Sequence, residues 1–319
     1  ERGHILYSDN VGDSWTQAKV PTRQMLTAVD FVDERRGWSV GHDGLILVSD
    51  DGGASWRIQR DGIAAQAQAN LSAREQAHQK IRELEAAVAT AENESVSELT
   101  MRLEDAVMDL EDADLALQEA VFTSPLMDVW FQDTERGWAT GAFGTLLATE
   151  DGGRTWRDDS KRLQNPDEFH LNAVTGDGDG RVFIAGEGGI MYRSKDGGLT
   201  WESLPTFYLG SWFGLLYTRD PEVLLVFGLR GNLYRSTDFG DNWEVIANDS
   251  QATIAGGSAA SSGKIALVGA VGTLLQSEDG GTSFARHEVA DRLNLSSALH
   301  HGGRLIIVGQ GGAKVYERE

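Results

Sequence analysis

A chain of 319 residues, 40% of them hydrophobic, can bury a large core, and with no cysteine it has no disulfide framework, thiolate metal site or cysteine nucleophile. A formal charge of −21 argues against nucleic acid as a partner, because binding a phosphate backbone needs a basic face, which here could only be a local patch. No apolar run approaches the roughly 20 residues that span a bilayer, and the first residues lack the apolar core of a signal peptide.

In chain order, one pattern returns. It stands at residues 3–15 (GHILYSDNVGDSW), 44–56 (GLILVSDDGGASW), 144–156 (GTLLATEDGGRTW), 189–201 (GIMYRSKDGGLTW), 231–243 (GNLYRSTDFGDNW) and 272–284 (GTLLQSEDGGTSF), and it begins again at 312–319 (GAKVYERE). The leading glycines are 41, 100, 45, 42, 41 and 40 residues apart, so one interval holds an insertion of about 59 residues. A period near 40 with short strands and turn residues predicts an array of small sheets. Around the second copy LTAVDF, RGWSVG, LILVS and WRI read as four strands, A to D. The B–C connection carries paired glycines, Gly41 with Gly44, Gly141 with Gly144 and onward, which predicts a tight hairpin using positive φ. Glu1-Arg2-Gly3 reads as the second half of such a hairpin, so strands A and B of the first unit, at least 16 residues, are expected upstream together with any signal peptide.

Residues 60–122 change character. They are rich in Ala, Glu, Gln and Leu, without proline, and without glycine after Gly62. Leu103, Ala106, Leu110, Ala113, Leu117 and Ala120 form a seam at steps of three and four; Leu71, His78, Ile81, Leu84 and Val88 form a facing stripe, and residues 92–95 form the reversal. The expectation is an antiparallel helical hairpin leaving the D–A connection on the end opposite the C–D turns. The organisation is therefore propeller (1–59), helical insert (60–122) and propeller again (123–319).

The C–D turns resemble the Asp-box, or BNR repeat. A hydroxyl and a carboxylate take the turn's N–H groups, glycines take positive φ, and an aromatic ring packs on the neighbouring layer. The residues are Ser8, Asn10 and Trp15; Ser49, Asp51 and Trp56; Thr149, Asp151 and Trp156; Ser194, Asp196 and Trp201; Ser236, Asp238 and Trp243; Ser277, Asp279 and Phe284. Their role is read as structural. Within that superfamily, the run from Val29 through Arg36-Gly37-Trp38 to the box, echoed from Val129 through Arg136-Gly137-Trp138, is similar to the photosystem II assembly and stability factor family and its non-photosynthetic bacterial relatives. The resemblance covers everything but the insert. It implies an all-β, seven-bladed propeller outside the cytoplasm, in the periplasm of a bacterium, without enzymatic activity, cofactor or metal. It also implies an integral membrane protein complex as partner, an RND-type exporter in the non-photosynthetic branch.

Two sets of residues are candidate partner-binding groups. One is the basic position opening strand B, Arg36, Arg136, Arg181, Lys264 and Arg304, a possible ring for an acidic partner; the plainer reading is that each offsets a nearby box aspartate. The other is the arm, with Leu71, Ile81, Leu84, Leu103, Leu110 and Leu117. A sialidase-like glycosidase is the enzymatic alternative, for which Tyr208 and Tyr217 are the tyrosines not explained by the repeat. A glycan- or lipid-binding propeller is the other alternative, with an aromatic pocket around Phe207, Tyr208, Trp212 and Phe213. His170, His287, His300 and His301 invite a metal reading, weakened because adjacent strand residues point to opposite faces.

Overall fold

The computed structural model describes residues 2–91 and 94–316. Among them the strands form seven antiparallel sheets. The first pairs β1 (Leu6–Tyr7) with β2 (Thr16–Gln17). Five four-stranded sheets follow: β3 (Leu26–Phe31), β4 (Gly37–Gly41), β5 (Ile46–Ser49) and β6 (Arg57–Arg60); β7 (Leu126–Phe131), β8 (Gly137–Gly141), β9 (Leu146–Thr149) and β10 (Arg157–Asp158); β11 (Leu171–Gly176), β12 (Val182–Gly186), β13 (Met191–Ser194) and β14 (Glu202–Ser203); β15 (Trp212–Tyr217), β16 (Leu224–Gly228), β17 (Leu233–Ser236) and β18 (Glu244–Val245); β19 (Ile254–Ala259), β20 (Ile265–Gly269), β21 (Thr273–Ser277) and β22 (Ala285–Glu288). The last joins β23 (Leu295–His301), β24 (Arg304–Gly309) and β25 (Gly312–Tyr316). The fold is a seven-bladed β-propeller, the array of small sheets that the repeat predicts and the blade number that the family resemblance implies.

Two compact units are present. Residues 60–123 with 43–45 form one, and the rest of the chain forms the other. In the smaller unit α1 (Gly62–Thr90) starts at Asp61, whose carboxylate accepts the Ala64 N–H at 3.1 Å, and α2 (Glu94–Ala116) packs along it. The turn expected at residues 92–95 lies partly outside the described residues.

The propeller core lies between blades. Trp38, Val40, Ile46 and Val48 of one sheet pack on Leu126, Val129, Phe131, Ala139 and Leu147 of the next, and equivalent clusters fill the following interfaces. Full burial of such side chains stabilises by about 1.5–3 kcal/mol each. The Arg-Gly-Trp motif has a steric cause. A Cβ on Gly37 would come within 2.6 Å of the Phe31 ring, and one on Gly137 within 2.5 Å of the Phe131 ring, because these residues pair directly across the A–B ladder.

The B–C connections use their glycines in two ways. The second glycine is left-handed, with φ +61° at Gly44 and +70° at Gly144. The first is not: Gly141 is extended at φ −163°, and what it needs is close approach, since a Cβ there would lie 2.4 Å from the Pro125 carbonyl oxygen. The same approach recurs at Gly41, Gly186, Gly228, Gly269 and Gly309. Positive φ falls instead on the residue before the second glycine, whatever its side chain, including Phe143 (54°), Arg230 (58°) and Val271 (57°).

Each C–D turn is stapled as the box chemistry requires. Ser49 Oγ accepts the Gly53 N–H at 2.9 Å and donates to Asp51 Oδ1 at 2.9 Å, while Asp51 accepts the Ser55 N–H at 2.9 Å and hydroxyl at 2.6 Å. Asn10 keeps the acceptor role through its Oδ1, which takes the Ser14 N–H at 2.9 Å, and its amide nitrogen donates to the Ser14 hydroxyl at 2.9 Å. Phe284 stands where Trp156, Trp201 and Trp243 have indole N–H groups that find no acceptor among the described residues, so the ring suffices there. The stapled turn leans on strand B of the preceding blade: Gly198 faces Trp138, Gly240 faces Phe183 and Gly281 faces Leu225. Gly12 meets Ile306 and Val315 in the same way, so the ring closes between the last sheet and the first through the contact made by Gly198, Gly240 and Gly281, whereas Gly153 instead faces Gln59 on β6.

The first strands of successive blades contact one another and form the inner ring. Each of the six, β3, β7, β11, β15, β19 and β23, carries a bulge near its start. Bulge residues reach across: Thr27 donates to Leu126 O at 2.7 Å and Asn172 to Trp212 O at 2.9 Å. Two half-buried carboxylates do the same in the acceptor sense, Asp30 from the Phe131 N–H at 2.8 Å and Asp128 from the Val174 N–H at 2.9 Å. Burial raises Asp30 to about 6 and Asp128 to about 7.

The two kinds of aspartate act at opposite ends of the pH scale. Asp279 is held at about 2 by the Ser283 hydroxyl and N–H, so its contribution to stability is present above an ordinary carboxyl value of 3.8 and is lost as pH falls toward 2. Asp30 and Asp128 are raised, so their contribution is complete below 3.8 and is lost as pH rises through about 6 and 7. Thermal unfolding across the pH range should therefore peak on the acid side of neutrality, and Asp128→Asn should flatten the decline between about pH 5 and 8 whatever it does to the absolute Tm; an unchanged slope refutes the assignment. Asp196→Ala should lower Tm by several degrees through loss of the staple, and millimolar Ca²⁺ should leave the wild-type Tm unchanged, where a metal-binding box would raise it.

Candidate interaction surfaces

The five bases that open strand B are all engaged. Arg36 pairs with Asp50 and donates to Gly152 O of the next blade's box; Arg136 pairs with Asp133 at 3.0 Å and Lys264 with Glu278 at 3.0 Å. Arg181 grips Asp177 at 2.5 Å and Glu222 of the following blade at 2.8 Å, and Arg304 reaches Asp13 in the first blade's box at 2.5 Å. Three of the five thus tie one blade to the next. The arrangement is a girdle of internal pairs whose carboxylate ends are exposed except at Asp177, whose side chain is only 3% exposed. Beside Arg36, a cleft of about 560 Å³ is lined by Arg57, Arg154, Glu135 and Asp151, a mixed rather than a basic surface.

A base the repeat did not single out lies deeper. Arg193 on β13 is 5% exposed, pairs with Glu202 at 2.8 Å and Asp241 at 2.7 Å, and donates to Phe239 O at 2.7 Å. Phe239 occupies a box position filled by glycine in most copies, at φ 57°, and its ring lies under Arg181 and Arg193 at 5.0 and 5.4 Å. Packing of that ring on Phe183 at 5.3 Å offsets the strained backbone.

On the B–C side, the left-handed tips are fixed by the loop that leads to the next blade. The Phe143 N–H donates to His170 Nδ1 at 2.9 Å and the Val271 N–H to Asn294 Oδ1 at 2.9 Å. His170 is a turn clamp. His300 shares a hydrogen bond with the Ser258 hydroxyl at 3.1 Å, and burial lowers its pKa; His301 is exposed at the strand end. No cluster of three His, Asp or Glu side chains that could hold a metal occurs among the described residues. The proposed aromatic pocket is filled by its own rings: Trp212 is fully buried, with Tyr208 at 4.7 Å, Tyr234 at 5.6 Å and Phe207 at 5.8 Å, while Phe213 alternates outward. Tyr208 donates to Leu229 O at 3.2 Å, and burial pushes the Tyr217 hydroxyl up, opposite to what a tyrosine nucleophile needs.

In the helical unit Leu84, Ala106 and Ala113 are buried, and Ile81, Leu103, Leu110 and Leu117 are half-buried. These residues spend their surface on the hairpin itself. Leu71 is 46% exposed; Asn70, which donates to Ala116 O at 3.2 Å, and buried Ala77 take the seam positions expected for Leu71 and His78. The outward apolar residues are others, Met101, Met108 and Leu115, which hairpin reasoning passed over although they repeat at intervals of seven. Among the described residues no helix is long and apolar enough to cross a membrane.

Comparison with known proteins gives this geometry its context. Photosystem II assembly lipoprotein Ycf48 of Synechococcus sp. (strain CC9902) is 26% identical over 195 residues, which are 58% of this chain and 56% of that protein, so the match spans about half of the relative. A solved structure of YCF48 bound to D1 peptide is 25% identical over 61% of this chain and 64% of its own, with a TM-score of 0.50. The WD40 β-propeller domain of Doa1 covers 100% of this chain and 87% of its own at 10% identity and a TM-score of 0.63, a likeness of fold alone. The sequence model described as photosynthesis system II assembly factor YCF48 matches residues 8–79 and 110–266, box turns and Arg-Gly-Trp strands included, and this chain belongs to that family.

Proposed function

We propose that the protein is a non-enzymatic accessory or assembly factor of an integral membrane protein complex, acting on the extracytoplasmic side. The observation that carries the reading is family membership, together with a relative solved with a D1 peptide bound. The geometry agrees: box carboxylates are consumed by their turns, strand-B bases by neighbouring acids, and the raised tyrosine is buried. The complex implied for the non-photosynthetic branch is an RND-type exporter, and the helical arm is the element that departs from the repeat and docks the partner.

Purification through a tag on this chain, from membranes solubilised in mild detergent, should bring down an integral membrane protein in fixed ratio. Recovery of the propeller alone, under conditions that preserve other envelope complexes, refutes the reading. Replacing residues 64–120 by a short bridge should leave the propeller's unfolding temperature within a few degrees and abolish that recovery; undiminished recovery would assign the contact to the propeller instead.

A further inference from the structure

The seam of α2 defines a heptad. Val96, Leu99, Leu103, Ala106, Leu110 and Ala113 face α1, with Lys80 on Asp109 and Arg74 on Asp114, both at 2.9 Å, closing the two sides. Met101, Met108 and Leu115 then fall five positions after a seam residue, on the side of the helix directly away from α1, and they are 60, 56 and 54% exposed. At ~1.5 Å per residue they mark an apolar line about 21 Å long. Glu98, Glu104, Asp105, Glu111 and Asp112 stand three or four residues from them, and none of these five carboxylates is in a salt bridge among the described residues.

Taking the docking role of the arm as given, we infer that this outward face of α2 receives one basic amphipathic helix of the partner protein, apolar at heptad spacing and flanked by Lys or Arg. The spacing calls for a helix, since residues seven apart line up only against another helical seam. The unpaired carboxylates set its charge. A second copy of this chain would oppose acid to acid, and an anionic membrane surface would be repelled. Methionine suits such a face because its unbranched, polarizable side chain adapts to a partner's contour.

The test uses the full chain and a labelled synthetic 21-residue peptide with Leu at heptad positions a and d and Lys at e and g, beside a peptide of the same composition in scrambled order. The heptad peptide should bind at least tenfold more tightly than the scrambled one. Met101→Gln, Met108→Gln and Leu115→Gln together should remove that preference while helix content and Tm stay unchanged, because exposed Gln is a good helix former. Glu104→Gln, Glu111→Gln and Asp112→Asn together should weaken binding and reduce its salt dependence. Equal affinity for the two peptides, or full affinity in the triple Gln variant, overturns the inference. So does concentration-dependent dimerisation or binding to anionic vesicles that the Gln variant abolishes. Co-purification of a membrane protein by that variant at wild-type yield would overturn this face alone and leave the accessory role standing.

Discussion

The propeller depends on one recurring contact, made by the turns of Gly12, Gly198, Gly240 and Gly281: a stapled C–D turn of one blade laid against strand B of the blade before it. The staple comes first: a hydroxyl and a carboxylate oxygen hold the N–H groups of a turn whose glycines are left-handed. Only a backbone without Cβ atoms lies this close to Trp138 and Phe183, where a Cβ would come within 2.5 and 2.6 Å. Once that spacing is set, the inner strands come within reach of one another, and Thr27, Asp30, Asp128, Asn172 and Ser258 bond from one blade to the next. Because Gly12 makes the same contact with Ile306 and Val315, closure needs no device of its own.

Using the charged residues this way narrows what the propeller can do with them. Arg36, Arg181 and Arg304 each reach into the adjoining blade, so a ligand competing for them would act on a blade boundary as well as on a charge. The carboxylate ends of these pairs are mostly exposed, and exposed pairs are weak. Arg193 is the exception, because its burial and its bond to Phe239 O make it part of the packing.

How much of this was legible follows from what each residue needs locally. The repeat shows because close approach leaves no choice but glycine, and because a staple needs Ser or Thr two residues before Asp or Asn. Asp30 and Asp128 were not legible. They sit at different positions of strand A, and in sequence they resemble the polar face of an ordinary alternating strand; only the neighbouring blade makes them acceptors in the interior. Leu71 lies one residue off the seam, because a pattern of larger side chains points to it rather than to Asn70. In a hairpin led by alanine the small residues mark the contact, and Ala77 does so here. Met101, Met108 and Leu115 carry the same period as the seam, displaced to the far side of the helix, where the hairpin contact places no demand on them.

Residues 60–123 hold fourteen acidic and five basic residues. Asp105 with Asp109, Asp109 with Asp112, and Glu111 with Asp114 are like-charged neighbours at helical spacings of four, three and three. Three of these carboxylates, Glu111, Asp112 and Asp114, lie toward the helix C-terminus at Ala116, where the macrodipole disfavours a negative charge by about 0.3–1 kcal/mol each. Arg74 and Lys80 relieve Asp114 and Asp109 from α1; among the described residues no salt bridge relieves Glu111 or Asp112. A helix selected only to complete the hairpin would carry bases there, which cost nothing in folding and favour the dipole. An acidic surface set around exposed methionines is disfavoured for the isolated hairpin on both counts, and both penalties are offset when cations on a docked helix occupy the flanks of that apolar line.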